Sequence, residues 1–253
     1  MSESGSRLLW PRPAGMDVQV VPDQDLEAYY YYPEPIDRAY VRLNYISSLN
    51  GKVSVNGRSA AFGTTGDKLV FRRLRRLADV VVVGAGTVRA DGYRGARSSE
   101  SLQAARRLRG QAAVPPIAVV TASADLDPDS PLFKDAWVPP IILTVRSAPP
   151  SNVKRLRESG AEVMIVGEDR ADVRQMLGAL ASRNLCRILC EGGPTLFGQL
   201  FAAGAVDEVC LTLSPQVGGA GQISPDSSNL LPMRIEAVLA RDETLLIRYV
   251  RKA

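Results

Sequence analysis

The sequence predicts an α/β protein, a single three-layer domain with a mostly parallel central sheet, helices on both faces and a C-terminal hairpin. Short, largely apolar runs at 79–83, 117–121 and 141–145 are typical of strands that are buried on both faces of a parallel sheet. Segments with helical periodicity alternate with these runs, which is the pattern of an α/β fold. No linker rich in Pro, Gly or Ser divides the 253 residues, so one domain is favoured.

The chain begins with a segment, residues 1–37, that is rich in proline and aromatic residues. We expect this segment to be a lead-in that packs onto the main domain, which spans 38–253, or onto a partner, and to carry little chemistry. Alternation of apolar and polar residues predicts the first strand at 38–47. A polar turn follows at 48–53, and then a second short strand that ends in a turn at Asn56 and Gly57.

Helical periodicity begins at residue 64 and continues to 78, where Val70, Leu74 and Leu77 recur at the spacing of one helix face. This helix also carries the basic run Arg72-Arg73-Leu74-Arg75-Arg76. A solvated surface is the usual explanation of such a run. Nucleic-acid binding is the functional alternative, but no interleaved aromatic residues and no known nucleic-acid-binding module accompany the run.

The valine-rich strand at 79–83 leads into a glycine turn, Gly84-Ala85-Gly86-Thr87, that opens a helix. This turn is not the dinucleotide-binding fingerprint, because Arg89 stands where the third glycine is required. Residues 92–113 are polar and predict an exposed excursion with a short basic helix at 101–109. Beyond it we expect strands at 117–121, 141–145, 162–166, 187–191, 208–213, 236–240 and 244–250, and helices at 151–159 and 171–183.

Residues 187–200 combine a buried strand, a two-glycine turn and a helix start. Gly192 and Gly193 leave backbone amides unobstructed, and Pro194 suits the first position of a helix. The unpaired N–H groups and the positive end of the helix dipole attract a phosphate. A plain tight connection between strand and helix is the equally weighted alternative. Glu191, at the end of the strand, would lie beside whatever binds there.

Composition restricts the classes of function. Hydrophobic residues make up 45% of the chain and the net charge is only +4, which suits a protein that binds small anionic ligands and does not demand nucleic acid. No apolar run has the length of a membrane span, no signal pattern is present and the three cysteines fit a reducing compartment, so we expect a cytoplasmic protein. Without histidine or a CxxC pair, the common zinc sites and histidine-based catalysis are excluded, and we expect no metal.

Several segments, taken together and in this order, resemble one family. They are Ser48-Leu49-Asn50-Gly51-Lys52, Leu74-Arg75, Val83-Gly84-Ala85-Gly86-Thr87-Val88-Arg89-Ala90-Asp91, Glu191-Gly192-Gly193-Pro194-Thr195-Leu196 and Val206-Asp207-Glu208. The family is the reductase domain of the riboflavin-biosynthesis deaminase/reductases, which has a dihydrofolate-reductase-like fold. The resemblance covers 38–253, and the deaminase half is absent because its zinc signature requires a histidine. It implies an NADPH-dependent oxidoreductase that is a homodimer and acts on a small molecule.

The resemblance also implies the residues of the site. The residues expected to bind NADPH are Ile46, Gly84, Ala85, Thr87, Asp91, Ser123, Gly192, Gly193, Pro194, Thr195, Leu196, Phe197, Gly198 and Gln199. Those expected to bind the substrate are Lys52, Ser59, Arg75, Arg97 and Glu191, with the guanidinium of Arg75 gripping a phosphate. Glu191 and Asn50 are the expected catalytic residues, and Glu191 can stabilise a cationic carbon or carry a proton.

Three positions depart from the pattern of the family. Asn50 stands where the family has an aspartate, so it can orient a substrate but cannot act as an acid. Ala61 replaces an aromatic residue near the nicotinamide, and Gly92-Tyr93 replaces an acidic residue followed by proline. The arginine expected downstream is offset, so that Arg94 and Arg97 are alternatives for one role.

The resemblance implies a 5-amino-6-(5-phosphoribosylamino)uracil reductase of riboflavin biosynthesis. A dihydrofolate or dihydropterin reductase on the same fold is the alternative, since a dihydropterin also has a C=N bond that is reduced beside a carboxylate. The alternative from another class is a catalytically silent NADPH-binding protein, which the departures at Asn50 and Ala61 permit.

Overall fold

The computed structural model describes residues 5–11, 19–223 and 230–252. Within these ranges the strands are β1 (Gly5–Trp10), β2 (Val20–Pro22), β3 (Tyr40–Ser47), β4 (Val80–Gly84), β5 (Ile117–Val120), β6 (Ile141–Thr144), β7 (Glu162–Ile165), β8 (Arg187–Cys190), β9 (Glu208–Leu213), β10 (Met233–Arg241) and β11 (Thr244–Arg251). The helices are α1 (Thr65–Leu77), α2 (Ala85–Asp91), α3 (Glu100–Leu108), α4 (Pro131–Lys134), α5 (Pro150–Glu158), α6 (Val173–Ala181) and α7 (Pro194–Ala202). Two short 3-10 turns, Leu26–Tyr30 and Ser59–Phe62, lie in the connections.

All of these strands belong to one sheet, in the order β2-β1-β10-β11-β9-β3-β8-β4-β5-β6-β7. From β9 to β7 every neighbouring pair is parallel. From β2 to β9 the pairs are antiparallel, and a turn at Asp242 and Glu243 joins β10 to β11. The predicted α/β domain with a mostly parallel sheet is therefore confirmed.

Successive side chains of β4 show how both faces of the sheet are covered. Val81 belongs to a hydrophobic cluster that includes Leu74 of α1. Val80 belongs to a second cluster that includes Leu200 of α7. Because neighbouring side chains of a strand point to opposite faces, helices pack on both sides of the parallel strands. Burial on both faces explains why β4 consists almost entirely of valine.

The N-terminal segment forms one edge of the sheet. β1 pairs with β10, and β2 pairs with β1, both antiparallel. Arg248 of β11 holds the chain that follows, because its guanidinium donates to the carbonyl oxygens of Tyr29 at 2.8 Å and Tyr31 at 3.0 Å. The segment thus packs onto the domain through strand pairing and through a buried cation.

Two connections differ from the sequence-based expectation. The short strand predicted before Asn56 is wrong: residues there form isolated bridges, because the chain reverses at Asn56 and Gly57, where φ is 50° and 76°. The exposed excursion predicted at 92–113 is also tied to the domain more closely than expected. Its helix α3 is present, but the side chain of Arg106 is completely buried and donates hydrogen bonds to the carbonyl oxygens of Arg76 and Ala78 at 2.8 Å.

The parallel strands bring distant segments of the chain to one edge of the sheet. β3, β4 and β8 all end there, since they are parallel neighbours. Glu191 directly follows β8, and the helices α2 and α7 begin at the same edge. A cleft between the ends of parallel strands and the starts of helices is where α/β folds usually bind their ligands.

Candidate active site

A cleft of about 1360 Å³ opens at this edge of the sheet, with α1 on one side and the starts of α2 and α7 at its base. Many of the residues singled out from the sequence line it. They are Ile46, Ser59, Arg75, Gly84, Thr87, Asp91, Arg97, Glu191, Gly192, Gly193, Pro194, Thr195, Leu196 and Phe197. The structure therefore brings together, in one cleft, residues as distant in the sequence as Ile46 and Phe197.

Six of the expected residues do not line the cleft: Asn50, Lys52, Ala85, Ser123, Gly198 and Gln199. Asn50 serves the turn after β3 instead, because its Oδ1 accepts hydrogen bonds from Ser48 Oγ at 2.8 Å and from the backbone N–H of Gly218 at 2.9 Å. Lys52 lies in the same turn, where its N–H donates to Ser48 Oγ at 3.0 Å. The side chain of Asn50 thus links two loops in this structure, and its catalytic role stays a prediction.

The base of the cleft is built from two helix starts that touch one another. The N–H of Gly84, which precedes α2, donates to the carbonyl oxygen of Gly192 at 2.7 Å. A Cβ atom on Gly84 would lie 3.3 Å from the nitrogen of Gly193, so glycine permits this close approach. Gly192 has φ of +111°, which a residue with a side chain rarely adopts. A Cβ on Gly193 would lie 2.7 Å from Thr87 Oγ1, so a larger residue there would displace the Thr87 side chain.

Neither helix start is closed by a side chain of the described residues. Gly84 and Gly193 are the N-cap residues of α2 and α7, and neither offers a side-chain oxygen to the first turn. The first N–H groups of a helix and its positive dipole end favour a negatively charged ligand. Two such starts side by side, with the Thr87 hydroxyl between them, fit the pyrophosphate of a dinucleotide.

Glu191 and Arg75 form a two-pronged ion pair in the wall of the cleft. Arg75 Nε donates to Glu191 Oε1 at 2.7 Å, and Arg75 Nη2 donates to Oε2 at 2.6 Å. Although burial alone would lower the pKa of Arg75, the carboxylate of Glu191 raises it above its ordinary value. The Glu191 side chain is only 2% exposed, whereas that of Arg75 is 33% exposed and reaches the cleft. The two side chains are in direct contact, so two of the guanidinium nitrogens expected to grip a substrate phosphate are occupied by Glu191 in this structure.

Tyr93 completes this group and was missed from the sequence. Its hydroxyl donates to Glu191 Oε2 at 2.7 Å, and its ring centroid lies 5.4 Å from the guanidinium carbon of Arg75. Burial, followed by the charge of Glu191, raises the pKa of Tyr93 well above its ordinary value. The sequence signal was present in the departure from the family pattern at Gly92-Tyr93, but only the fold shows that this position faces Glu191.

The basic run of α1 lines the cleft, so its solvated face is also a wall of the cleft. Arg72, Arg73 and Arg76 join Arg75 in the wall, because α1 runs along the cleft. Arg76 Nε lies 2.7 Å from Glu27 Oε2, whereas Arg72 has no hydrogen-bond acceptor among the described residues. From other segments, Arg58, Arg94 and Arg97 also reach the cleft. The cleft is therefore suited to ligands that carry several negative charges.

Within the described ranges, no helix is both long enough and apolar enough to cross a bilayer. The same residues contain no group of three or more cysteine and acidic side chains that could hold a metal ion.

The family model of the RibD C-terminal domain matches residues 39–247. Two 2,5-diamino-6-ribosylamino-4(3H)-pyrimidinone 5′-phosphate reductases are similar to this chain over nearly their whole length. That of Methanothermobacter thermautotrophicus is 28% identical, over 85% of this chain and 99% of its own. That of Archaeoglobus fulgidus is 31% identical, over 79% of this chain and 93% of its own.

Solved structures agree on the fold. A pyrimidine reductase-like protein from Corynebacterium diphtheriae, 24% identical, superimposes with a TM-score of 0.76 over 85% of this chain and 92% of its own. A dihydrofolate reductase from Enterococcus faecalis, 14% identical and complexed with NADP(H), superimposes with a TM-score of 0.50 over 85% and 97%. The dihydrofolate-reductase-like fold is thus confirmed, and the chain belongs to the RibD C-terminal domain family.

Proposed function

We propose that the chain is an NADPH-dependent reductase of riboflavin biosynthesis, whose substrate is a 6-ribosylaminopyrimidine 5′-phosphate and whose product carries an open ribityl chain. The observation that carries the proposal is the buried Glu191 carboxylate, placed in one cleft with two uncapped helix starts and several arginines. Relatives of full length are named as reductases of such a compound, the diaminopyrimidinone. The candidate substrates therefore include this diaminopyrimidinone beside the closely related aminouracil that was expected from the sequence.

The residues present fit NADPH. The starts of α2 and α7 would hold its pyrophosphate, with Thr87 as an additional donor. Ile46, near the end of β3, would offer backbone groups to the nicotinamide amide, and Asp91 would contact the ribose. When bound, NADPH supplies a hydride. The protein's part is to hold the reacting groups at contact distance and to exclude water from them.

Glu191 would stabilise the positive charge that develops on the sugar carbon when the ribose ring opens. Every hydrogen-bond partner of its carboxylate among the described residues is a donor, namely Arg75 and Tyr93. An ionised carboxylate accepts hydrogen bonds and cannot supply a proton. The structure thus favours electrostatic stabilisation over the alternative in which Glu191 carries the proton.

The substrate phosphate would face the basic wall of the cleft. Two nitrogens of Arg75 are occupied by Glu191, which leaves Nη1 without a partner among the described residues. Arg72 and Arg58 lie in the same lining and carry no carboxylate partner there. We therefore propose that these three guanidinium groups bind the phosphate together, whereas the sequence led us to expect the guanidinium of Arg75 alone.

The test is the oxidation of NADPH by the wild-type protein with a panel of substrates. The panel contains the diaminopyrimidinone and the aminouracil ribosylamino 5′-phosphates, the dephosphorylated form of each, and dihydrofolate. We expect turnover of at least one phosphorylated compound, and a loss of about tenfold or more in kcat/KM when the phosphate is removed, as for a lost charge-assisted hydrogen bond. Turnover of dihydrofolate alone would support the dihydropterin alternative. NADPH binding without any turnover would support the silent binding protein.

The same proposal includes a homodimer and a cytoplasmic location, both from the family resemblance. Light scattering at micromolar concentration measures the first, and a monomeric mass there would contradict it.

A further inference from the structure

Tyr93 is placed by the end of α2. Gly92 ends this helix with φ of +62°, and the N–H of Tyr93 donates to the carbonyl oxygen of Val88 at 3.2 Å. The aromatic ring packs against the hydrophobic cluster that includes Val88. The side chain therefore leaves a fixed backbone position, and its hydroxyl reaches Glu191 at 2.7 Å.

Arg75 differs from Tyr93 as a partner of Glu191, because it is charged and partly exposed to the cleft. Its guanidinium lies on the ring of Phe71, with its carbon 4.3 Å from the ring centroid, and 33% of its side chain is exposed to the cleft. A substrate anion in the cleft competes with Glu191 for this cation. The hydroxyl of Tyr93 is neutral, so an anion has no comparable attraction for it. Its side chain also has only two rotatable bonds, whereas that of arginine has four.

We propose that Tyr93 is the positioning residue of the reaction, and that its hydroxyl keeps the Glu191 carboxylate directed at the reacting carbon while Arg75 engages the anionic substrate. This inference rests on the proposed reductase function. Tyr93 itself lines the cleft, and in this role it acts through Glu191. The hydroxyl stays protonated at physiological pH, since burial and Glu191 raise the pKa of Tyr93.

The test compares Tyr93→Phe with Tyr40→Phe. Tyr40 is a matched control outside the cleft, because its hydroxyl donates to another buried carboxylate, Glu208 Oε2, at 3.1 Å. Phenylalanine keeps the ring in both variants and removes only the hydroxyl. For Tyr93→Phe we expect kcat to fall about tenfold, as for one lost hydrogen bond to a charged group, with the Kd for NADPH and the Tm near the wild-type values. For Tyr40→Phe we expect kcat within about twofold of wild type.

A second readout does not depend on turnover. The infrared band of the Glu191 carboxylate, assigned by difference against Glu191→Gln, should shift in Tyr93→Phe because the carboxylate loses a donor. An unchanged band in Tyr93→Phe would overturn the role of Tyr93. If the wild-type protein is active, an unchanged kcat in Tyr93→Phe would overturn it as well. An equal loss of kcat in Tyr40→Phe would also overturn it. A wild-type protein that reduces no ribosylaminopyrimidine phosphate would instead contradict the proposed function. The infrared band would then be the only test of whether Tyr93 holds the Glu191 carboxylate.

Discussion

Two buried glutamates, Glu191 and Glu208, meet arginines in very different settings. Glu191 lies in the cleft, where one of its partners, Arg75, is partly exposed. Glu208 is completely buried in the sheet between Arg42 and Arg248, with oxygen-to-nitrogen distances of 2.7 Å and 2.9 Å. The first pair can exchange partners with a ligand. The second is closed to solvent, and we assign it to stability.

Replacing Glu208 should destabilise the protein strongly. Glu208→Gln leaves two buried arginines without their counter-charge, and removing one partner of a buried ion pair typically costs about 3 to 5 kcal/mol. Urea unfolding measures this free energy. The control is Glu158→Gln on α5, whose carboxylate lies 3.7 Å from Lys154 on the surface and should contribute less than about 1 kcal/mol. Equal urea midpoints for the two variants would contradict the assignment.

The ion pairs of Glu208 with Arg42 and Arg248 should also make the stability of the protein depend on pH. Burial alone would raise the pKa of Glu208, but Arg42 and Arg248 lower it below its ordinary value. The stabilisation is therefore present above the pKa of an unfolded glutamate, about 4.3, and is lost as the pH falls through the lower pKa of the folded state. Urea unfolding of the wild type between neutral and acidic pH should show this loss, and Glu208→Gln should show less of it.

At the scale of elements, the starts of α2 and α7 matter because they leave backbone amides free. Gly193→Ala should weaken NADPH binding by about tenfold, because the added Cβ displaces Thr87 and obstructs groups that together bind the pyrophosphate. Gly178→Ala, on the exposed face of α6, is the matched control: its Cβ meets no atom within 4 Å. This control should leave the Kd for NADPH unchanged and add up to about 1 kcal/mol of stability. Equal NADPH affinity in both variants would place the pyrophosphate elsewhere.

α3 closes the C-terminal end of α1. Arg106 donates to the carbonyl oxygens of Arg76 and Ala78, both at 2.8 Å, and to that of Ala112 at 2.7 Å. Arg106→Met should therefore lower the free energy of unfolding by about 3 kcal/mol, since three buried acceptors lose their donor. In Arg107→Met, the neighbouring exposed arginine is replaced, and we expect a change within about 0.5 kcal/mol. A thermal melt compares the two, and similar Tm values would show that the carbonyl groups find other donors.

At the scale of the whole molecule, periodicity and turn residues were sufficient to predict most elements. The valine run of β4 and the helical spacing on α1 are local signals, so they could be read from the sequence. β1 and β2 could not, because β1 depends on pairing with β10, more than 200 residues away, and the three-residue β2 depends in turn on pairing with β1. The approach of Tyr93 to Glu191 likewise joins positions 98 residues apart. Local patterns thus predicted where the cleft lies, whereas its internal contacts depend on the tertiary structure.

Above all, we propose that this cleft delivers a hydride from NADPH to the sugar carbon of a ribosylaminopyrimidine 5′-phosphate. The most direct measurement uses NADPH that carries deuterium at the transferable position of nicotinamide C4, with NMR analysis of the product. We predict one deuterium at C1′ of a newly formed ribityl chain. A product without deuterium at that carbon, or deuterium transfer to dihydrofolate and not to the phosphorylated pyrimidine, would contradict the claim.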